Sequence, residues 1–449
     1  MDLKRLGMLC LAGLAFAGPA AAQGTQSTER VFPYEYRRFE LPNGLVTYLI
    51  AADAPGQVAY LSIVRTGSRD EVEPGKSGFA HFFEHMMFRG TEKYPNFDEI
   101  MAEIGASRNA FTSSDMTVYY AVAANDHLER MIDLESDRFM NLRYSEPDFR
   151  TEAGAVLGEY QQSATTPFGF LNQRLRETAF DQHTYQHTTI GFEADVRAMP
   201  EGFDYSLDFH RRHYRPENVV LVLAGDIDFD RAERLIREYY SPWKPGYVAP
   251  QIPTEPAQTA PRDRTIVFPG RTLPMVSVNW RAPKWDPRDR TAVATEVLGR
   301  VAFGPTSDVY RKLVLRERKV GSLSASFGLQ RDPYLAGVTA SVLNPADTAA
   351  VKAEILATAR RFREELVDEQ ALAAAKSNMK YGFLMGLETP ESIAFAMIQP
   401  VVMTGGIEAV EEYYRTLEAV TAEDVRRAAR QVLVDAGRTT LTMIQQEGQ

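Results

Sequence analysis

Residues 78–91 read GFAHFFEHMMFRGT, which sets His81 and His85 four positions apart with Glu84 beside the second. On a helix, positions i and i+4 share a face, so both imidazoles reach one ion, and Glu84, three positions from His81, lies on that face too. Phe82, Phe83, Met86, Met87 and Phe88 are the apolar residues that would bury such a helix. Two imidazoles in those surroundings need polar partners or a metal. Metal-assisted peptide hydrolysis requires this set: zinc lowers the pKa of water to about 7, and a carboxylate that is not a ligand takes the proton and passes it to the leaving amine. The order is H-x-x-E-H, the inverse of the commoner H-E-x-x-H.

Composition narrows what else the chain can be. Its 449 residues are 44% hydrophobic and 24% charged, too many for one ordinary core and too apolar for disorder, so two or more globular domains are expected. A net charge of −10 with no long Lys/Arg run argues against nucleic acid as a partner. At the N-terminus, Lys4 and Arg5 precede an apolar run from Leu6 to Ala17 and small residues ending in Ala20, Ala21 and Ala22. That order predicts a secretory signal peptide over residues 1–22, cleaved after Ala22, and hence a periplasmic protein. The run is too short for a stable membrane span, which takes about 18 apolar residues or more. The single cysteine, Cys10, falls inside the predicted signal, leaving only His, Asp and Glu to hold a metal.

Outward from the motif, FELPNGLVTYLIA and VAYLSIVRTGS read as strands with turn chemistry at Asn43-Gly44, and an antiparallel pair is expected. Helical patterns follow around Phe79–Met87, Asn96–Ile104, Ala124–Asn141 and Pro147–Tyr160, with strand-like AFTSSDMTVYYAVA between the second and third. ENVVLVLAGDID reads as a buried strand and DFDRAERLIREYY as a helix. Six prolines between Pro242 and Pro261 mark a stiff linker. Beyond it the order restarts, with strands at TIVFPG and MVSVNWRAP and helical patterns from Asp286 and Ala346. The predicted organisation is therefore a zinc-binding domain over residues 30–245, a linker over 246–264 and a peptidase-like domain over 265–449. Each domain is α+β, an antiparallel-rich sheet packed with helices.

A hydrolytic zinc keeps three protein ligands and one open position. FRTEAGAVLGEYQQS offers Glu152 and Glu159, seven apart and so about 10 Å from each other on one helix face, too far for both to ligate directly. Spacing alone leaves the choice between them open. In these motifs the chain resembles the pitrilysin and insulinase type of zinc peptidases, from about Arg37 to near its end. Their third ligand is the later glutamate of an E-x-x-x-V-x-x-E helix, similar to Glu152, Val156 and Glu159 here. The resemblance implies one Zn²⁺ per chain held by His81, His85 and Glu159, with Glu84 as general base and Glu152 in support, and a fold like that of the mitochondrial processing peptidases. It also implies that the strand around Asn109, Ala110 and Phe111 pairs with the backbone of an extended peptide substrate. DQHTYQH, with His183 and His187, resembles a structural loop of the family.

The chain departs from the family in one place. Active members carry an Arg and, seven residues later, a Tyr that stabilise the oxyanion; here Arg316 is followed at that interval by Leu323, which donates no hydrogen bond. Some bacterial members are heterodimers in which one chain brings the zinc helix and the other brings Arg and Tyr, so a homologous second chain is the expected partner, with a homodimer as the alternative. The expected activity is endopeptidase cleavage of peptides or unfolded segments. Its rivals are a non-catalytic assembly or binding subunit and an amidase acting on cell-wall peptides.

Overall fold

The computed structural model describes residues 30–446. The predicted signal peptide and Cys10 lie outside them. Among the described residues no single helix is long and apolar enough to cross a membrane. Residues Val31 onward form one compact unit built on two sheets.

The first sheet has six strands: β1 (Tyr36–Glu40), β2 (Val46–Ala51), β3 (Gln57–Val64), β4 (Ser107–Thr112), β5 (Thr117–Ala124) and β6 (Val219–Gly225), in the order β1-β2-β6-β3-β5-β4. β1 and β2 form an antiparallel hairpin around Asn43-Gly44, where Gly44 takes φ +90°, a conformation that favours glycine. The expected pairing of the two N-terminal runs with each other does not occur. β6 lies between β2 and β3, parallel to the first and antiparallel to the second. Its sequence VVLVLAG is buried at every position, and a strand apolar on both faces belongs in the middle of a sheet covered on both sides. The stretch AFTSSDMTVYYAVA folds as the β4–β5 hairpin, with β4 at the sheet edge.

Helices α1 (Phe79–Met86), α2 (Phe97–Glu103), α3 (Leu128–Asn141), α4 (Glu146–Ala164), α5 (Pro167–Ala179), α6 (Glu193–Ala198), α7 (Phe203–His213) and α8 (Phe229–Tyr240) belong to this half. One sheet face, with Leu49, Val58, Tyr60, Tyr119 and Leu223, packs against Phe82, Phe83 and Met86 of α1 and against α3 and α8. The opposite face, with Ile50, Leu61, Ile63 and Val222, shares a core with Ile393, Ala394 and Met397 from the second half.

No helix or strand falls between Lys244 and Pro261, and β7 (Arg262–Phe268) opens the second sheet inside the segment read as linker. With β8 (Met275–Arg281), β9 (Val320–Ser326), β10 (Leu335–Val342) and β11 (Arg438–Gln445) the order is β7-β11-β8-β10-β9. β7 and β11 are parallel and the other pairs antiparallel, the same pattern as β2-β6-β3-β5-β4. The two domains are thus repeats of one α+β design. Helix α9 (Arg290–Phe303) takes the place of α1, and the helix Glu369–Met385 that of α4.

Candidate metal centre

α1 buries Phe79, Phe82, Phe83 and Met86, with Phe83 stacked on Phe209 at 5.4 Å between ring centroids. That packing turns His81, Glu84 and His85 to the helix face that looks toward α4 and β4. α4 is capped by Ser145, whose hydroxyl accepts from the Asp148 amide, and buries Phe149, Ala153, Val156 and Tyr160. Its Glu152 and Glu159 therefore face α1.

Both imidazoles and Glu159 converge. His81 Nε2 lies 3.4 Å and His85 Nε2 3.6 Å from the two carboxylate oxygens of Glu159, and one ligand atom from each of the three residues lies within 4.8 Å of the others. Among the described residues this is the one group of three or more His, Cys, Asp or Glu so disposed. Two imidazole nitrogens and a carboxylate suit zinc. Burial, with His85 beside it, pushes the His81 imidazole down to about 4, so at neutral pH it is in the uncharged form that ligates metal.

Glu152 is placed differently. Its Oε1 lies 2.8 Å from His85 Nδ1, on the far side of the ring from Glu159, and its other oxygen accepts from Arg89. A carboxylate on Nδ1 fixes that nitrogen as the N–H and leaves Nε2 as the free lone pair. The His85 bond and the Arg89 guanidinium hold the Glu152 carboxyl below its ordinary value although burial opposes them. Spacing had left Glu152 and Glu159 interchangeable; the fold separates them.

Glu84 touches neither histidine's ligating nitrogen. Its Oε2 accepts from the Thr112 hydroxyl at 2.7 Å, and burial pushes its carboxyl up against that bond. Thr112 ends β4, so the carboxylate sits beside the edge strand. On that strand Asn109 is exposed, Ala110 is buried and Phe111 is half-buried against Phe395, with ring centroids 6.0 Å apart. Asn109 Oδ1 accepts from the Ala110 amide, so that N–H points away from β5 toward the free edge.

Two contacts of the site went unread in the sequence. Arg89 follows His85 by four positions, a spacing that signals a shared helix face. Thr112 on Glu84 is a tertiary contact without a sequence signal. Arg316 is exposed at the end of the π-helix Arg311–Arg316, and Leu323 is buried in β9. Among the described residues no hydrogen bond or ion pair joins Arg316 to the His81–His85–Glu159 group. His183 and His187 make polar contacts of their own: His183 Nε2 lies 3.1 Å from Asp332 and His187 Nδ1 2.9 Å from the Thr188 carbonyl.

The second domain has a cavity at the same place in its repeat. Glu296, Gly299 and Arg300 of α9 line it with the spacing of His81, Glu84 and His85, and Ala371, Ala375 and Asn378 with that of Glu152, Val156 and Glu159. Of those six positions only Glu296 carries a carboxylate, and none carries an imidazole.

A donor set of this kind beside an open strand edge, on one half of a duplicated α+β scaffold, is the arrangement of a metal-dependent hydrolase. Sequence comparison narrows the class. The family description Insulinase (Peptidase family M16) matches residues 48–192, and Peptidase M16 inactive domain matches residues 204–379. The chain belongs to peptidase family M16, the insulinase family of zinc proteases. It is 26% identical to the zinc protease PqqE of Helicobacter pylori over 89% of this chain and 91% of that one. It is 29% identical to an uncharacterized zinc protease of Mycobacterium tuberculosis over 88% of this chain and 90% of that one. The crystal structure of a protease from Helicobacter pylori superposes with a TM-score of 0.86 at 24% identity, covering 91% of this chain and 99% of that one.

Proposed function

We propose that this chain is a zinc metalloendopeptidase that cleaves peptides or unfolded segments in the periplasm, with a homologous second chain completing its active site. The observation that carries the catalytic reading is the division of labour among three carboxylates and two imidazoles on α1 and α4. His81, His85 and Glu159 converge as ligands, Glu152 orients His85, and Glu84 stays unligated within reach of the reacting centre. Zinc, when bound there, supplies the Lewis acidity that brings the pKa of water to about 7. Glu84 takes a proton at its carboxylate and returns it to the leaving amine, and Thr112 fixes the orientation of that carboxylate. The outward Ala110 N–H, with Asn109 beside it, receives the main chain of an extended substrate as an added strand. Arg316 contacts substrate or the partner. Leu323 at the position of the family's tyrosine supports a divided site, since an oxyanion needs a donor that leucine lacks. Export rests on the N-terminal sequence.

Zinc content and peptide cleavage of the purified mature chain, alone and with a co-encoded homologous chain, test this beside a Glu84→Gln variant. Zinc retained and activity lost in the variant, with wild-type cleavage only in the pair, is the expected result. Full activity from the chain alone overturns the divided site, and no zinc in any sample favours a binding subunit.

A further inference from the structure

Helix α1 starts without a cap of its own. The residue before it, Gly78, sits at φ +97° and has no side chain, and its first turn holds no acidic residue. The free N–H groups of a helix start need acceptors. They find them in Glu71, a carboxylate only 4% exposed, whose Oε2 accepts from Gly78 at 2.8 Å and Oε1 from Ala80 at 2.6 Å. Burial pushes this carboxyl up to about 8. Around it lie Asp70, Asp195 and His187, and the nearest basic group, His187 Nδ1 at 3.8 Å, is spent on the Thr188 carbonyl in an imidazole that burial drives down to about 4. Glu71 is therefore no ion-pair partner. An apolar residue would fill the space at lower cost, unless the two backbone bonds are what the site needs.

The same segment is clasped from the other side. Ser77 donates its hydroxyl to Asp195 at 2.6 Å and accepts from the Phe192 amide, and a Cβ on Gly78 would lie 2.4 Å from the Ile190 carbonyl oxygen. His81 follows Ala80 directly, so the bond to the Ala80 amide fixes where the first ligand leaves the helix.

We propose that Glu71 is a positioning residue of the metal centre: by gripping the Gly78 and Ala80 amides it holds the first turn of α1, and with it His81, at the distance from Glu159 that metal binding requires. The proposal rests on the zinc peptidase reading. Glu71→Gln keeps the size and one acceptor but turns an NH2 donor against one backbone N–H. Two measurements test it: zinc affinity by competition with a chelator, and amide hydrogen exchange of residues 78–81 in the metal-free protein. Expected are a loss of affinity of about tenfold or more, faster exchange at Gly78 and Ala80, and a fall in kcat with KM retained. Ser77→Ala, which cuts the clasp but not the Glu71 bonds, should keep zinc affinity within about twofold. Wild-type zinc affinity in Glu71→Gln, or an equal loss in Ser77→Ala, overturns the proposal. Should Glu71→Gln fail to fold, Glu71→Asp, which withdraws the carboxylate by one methylene, takes its place with the same expectations. A wild-type chain that binds no zinc refutes the peptidase reading instead, while the exchange rates still report whether Glu71 holds the helix.

Discussion

Glu159 and Glu152 differ by which face of His85 they meet, and that difference sets opposite expectations for the same substitution. Glu159→Gln removes the carboxylate shared by both Nε2 atoms and should abolish bound zinc, read by metal analysis of the purified protein. Glu152→Gln leaves the ligands in place and should weaken zinc by about ten- to a hundredfold without abolishing it. Thr112→Val removes one hydrogen bond to the Glu84 carboxylate and should lower kcat/KM about tenfold, near 1.4 kcal/mol, with zinc content unchanged. The histidines and Glu84 were legible because all three lie within one helical turn, where spacing is geometry. Glu152 and Glu159 were legible as a pair but not as roles, because a helix periodicity says which residues share a face and not what meets that face.

At the level of elements, β4 matters through its position at the sheet edge. An edge strand presents unpaired backbone groups that invite a further strand, and here the Ala110 N–H is occupied only by the neighbouring Asn109 side chain. Asn109→Ala should raise KM several-fold with kcat little changed, measured with an extended peptide, because the interaction it removes is the same in bound substrate and transition state. The stretch AFTSSDMTVYYAVA announced strands. Edge placement came from β3, β5 and β6 competing for the middle, which apolarity on both faces decided in their favour.

At the scale of the molecule, the two domains are locked by a polar joint as well as by the shared core. Arg69 Nε lies 2.5 Å from Asp332, and His183 Nε2 donates at 3.1 Å to the same carboxylate while its Nδ1 accepts from the Tyr185 amide. Tyr185 donates to Asp115 at 2.7 Å, and the Arg331 amide reaches Asp115 from the second domain. Burial raises the Asp332 carboxyl, but its bonds to His183 and Arg69 outweigh this and hold it well below the usual carboxylate value. A folded value below the unfolded one means stability present above about pH 4 and lost as acid protonates the folded carboxylate. Asp332→Asn should therefore cost about 1–3 kcal/mol near neutrality, and its gap from wild type in urea unfolding should close as the pH falls below about 4. A gap that stays constant with pH would deny the carboxylate this role.

The sequence by itself determined the α+β class, the repeat and the face of α1 that carries both histidines, because each is written in local periodicity: two for strands, 3.6 for helices, and a step of four positions from one histidine to the next. Only the tertiary structure decided that β6 parts β2 from β3, that Glu159 rather than Glu152 meets both Nε2 atoms, and that a glutamate ten residues before His81 holds its helix. Those contacts join residues from 9 to 174 positions apart along the chain. Their partners are chosen by which surfaces are left to bury and which polar atoms are left to pair, and neither is fixed until the layers have closed.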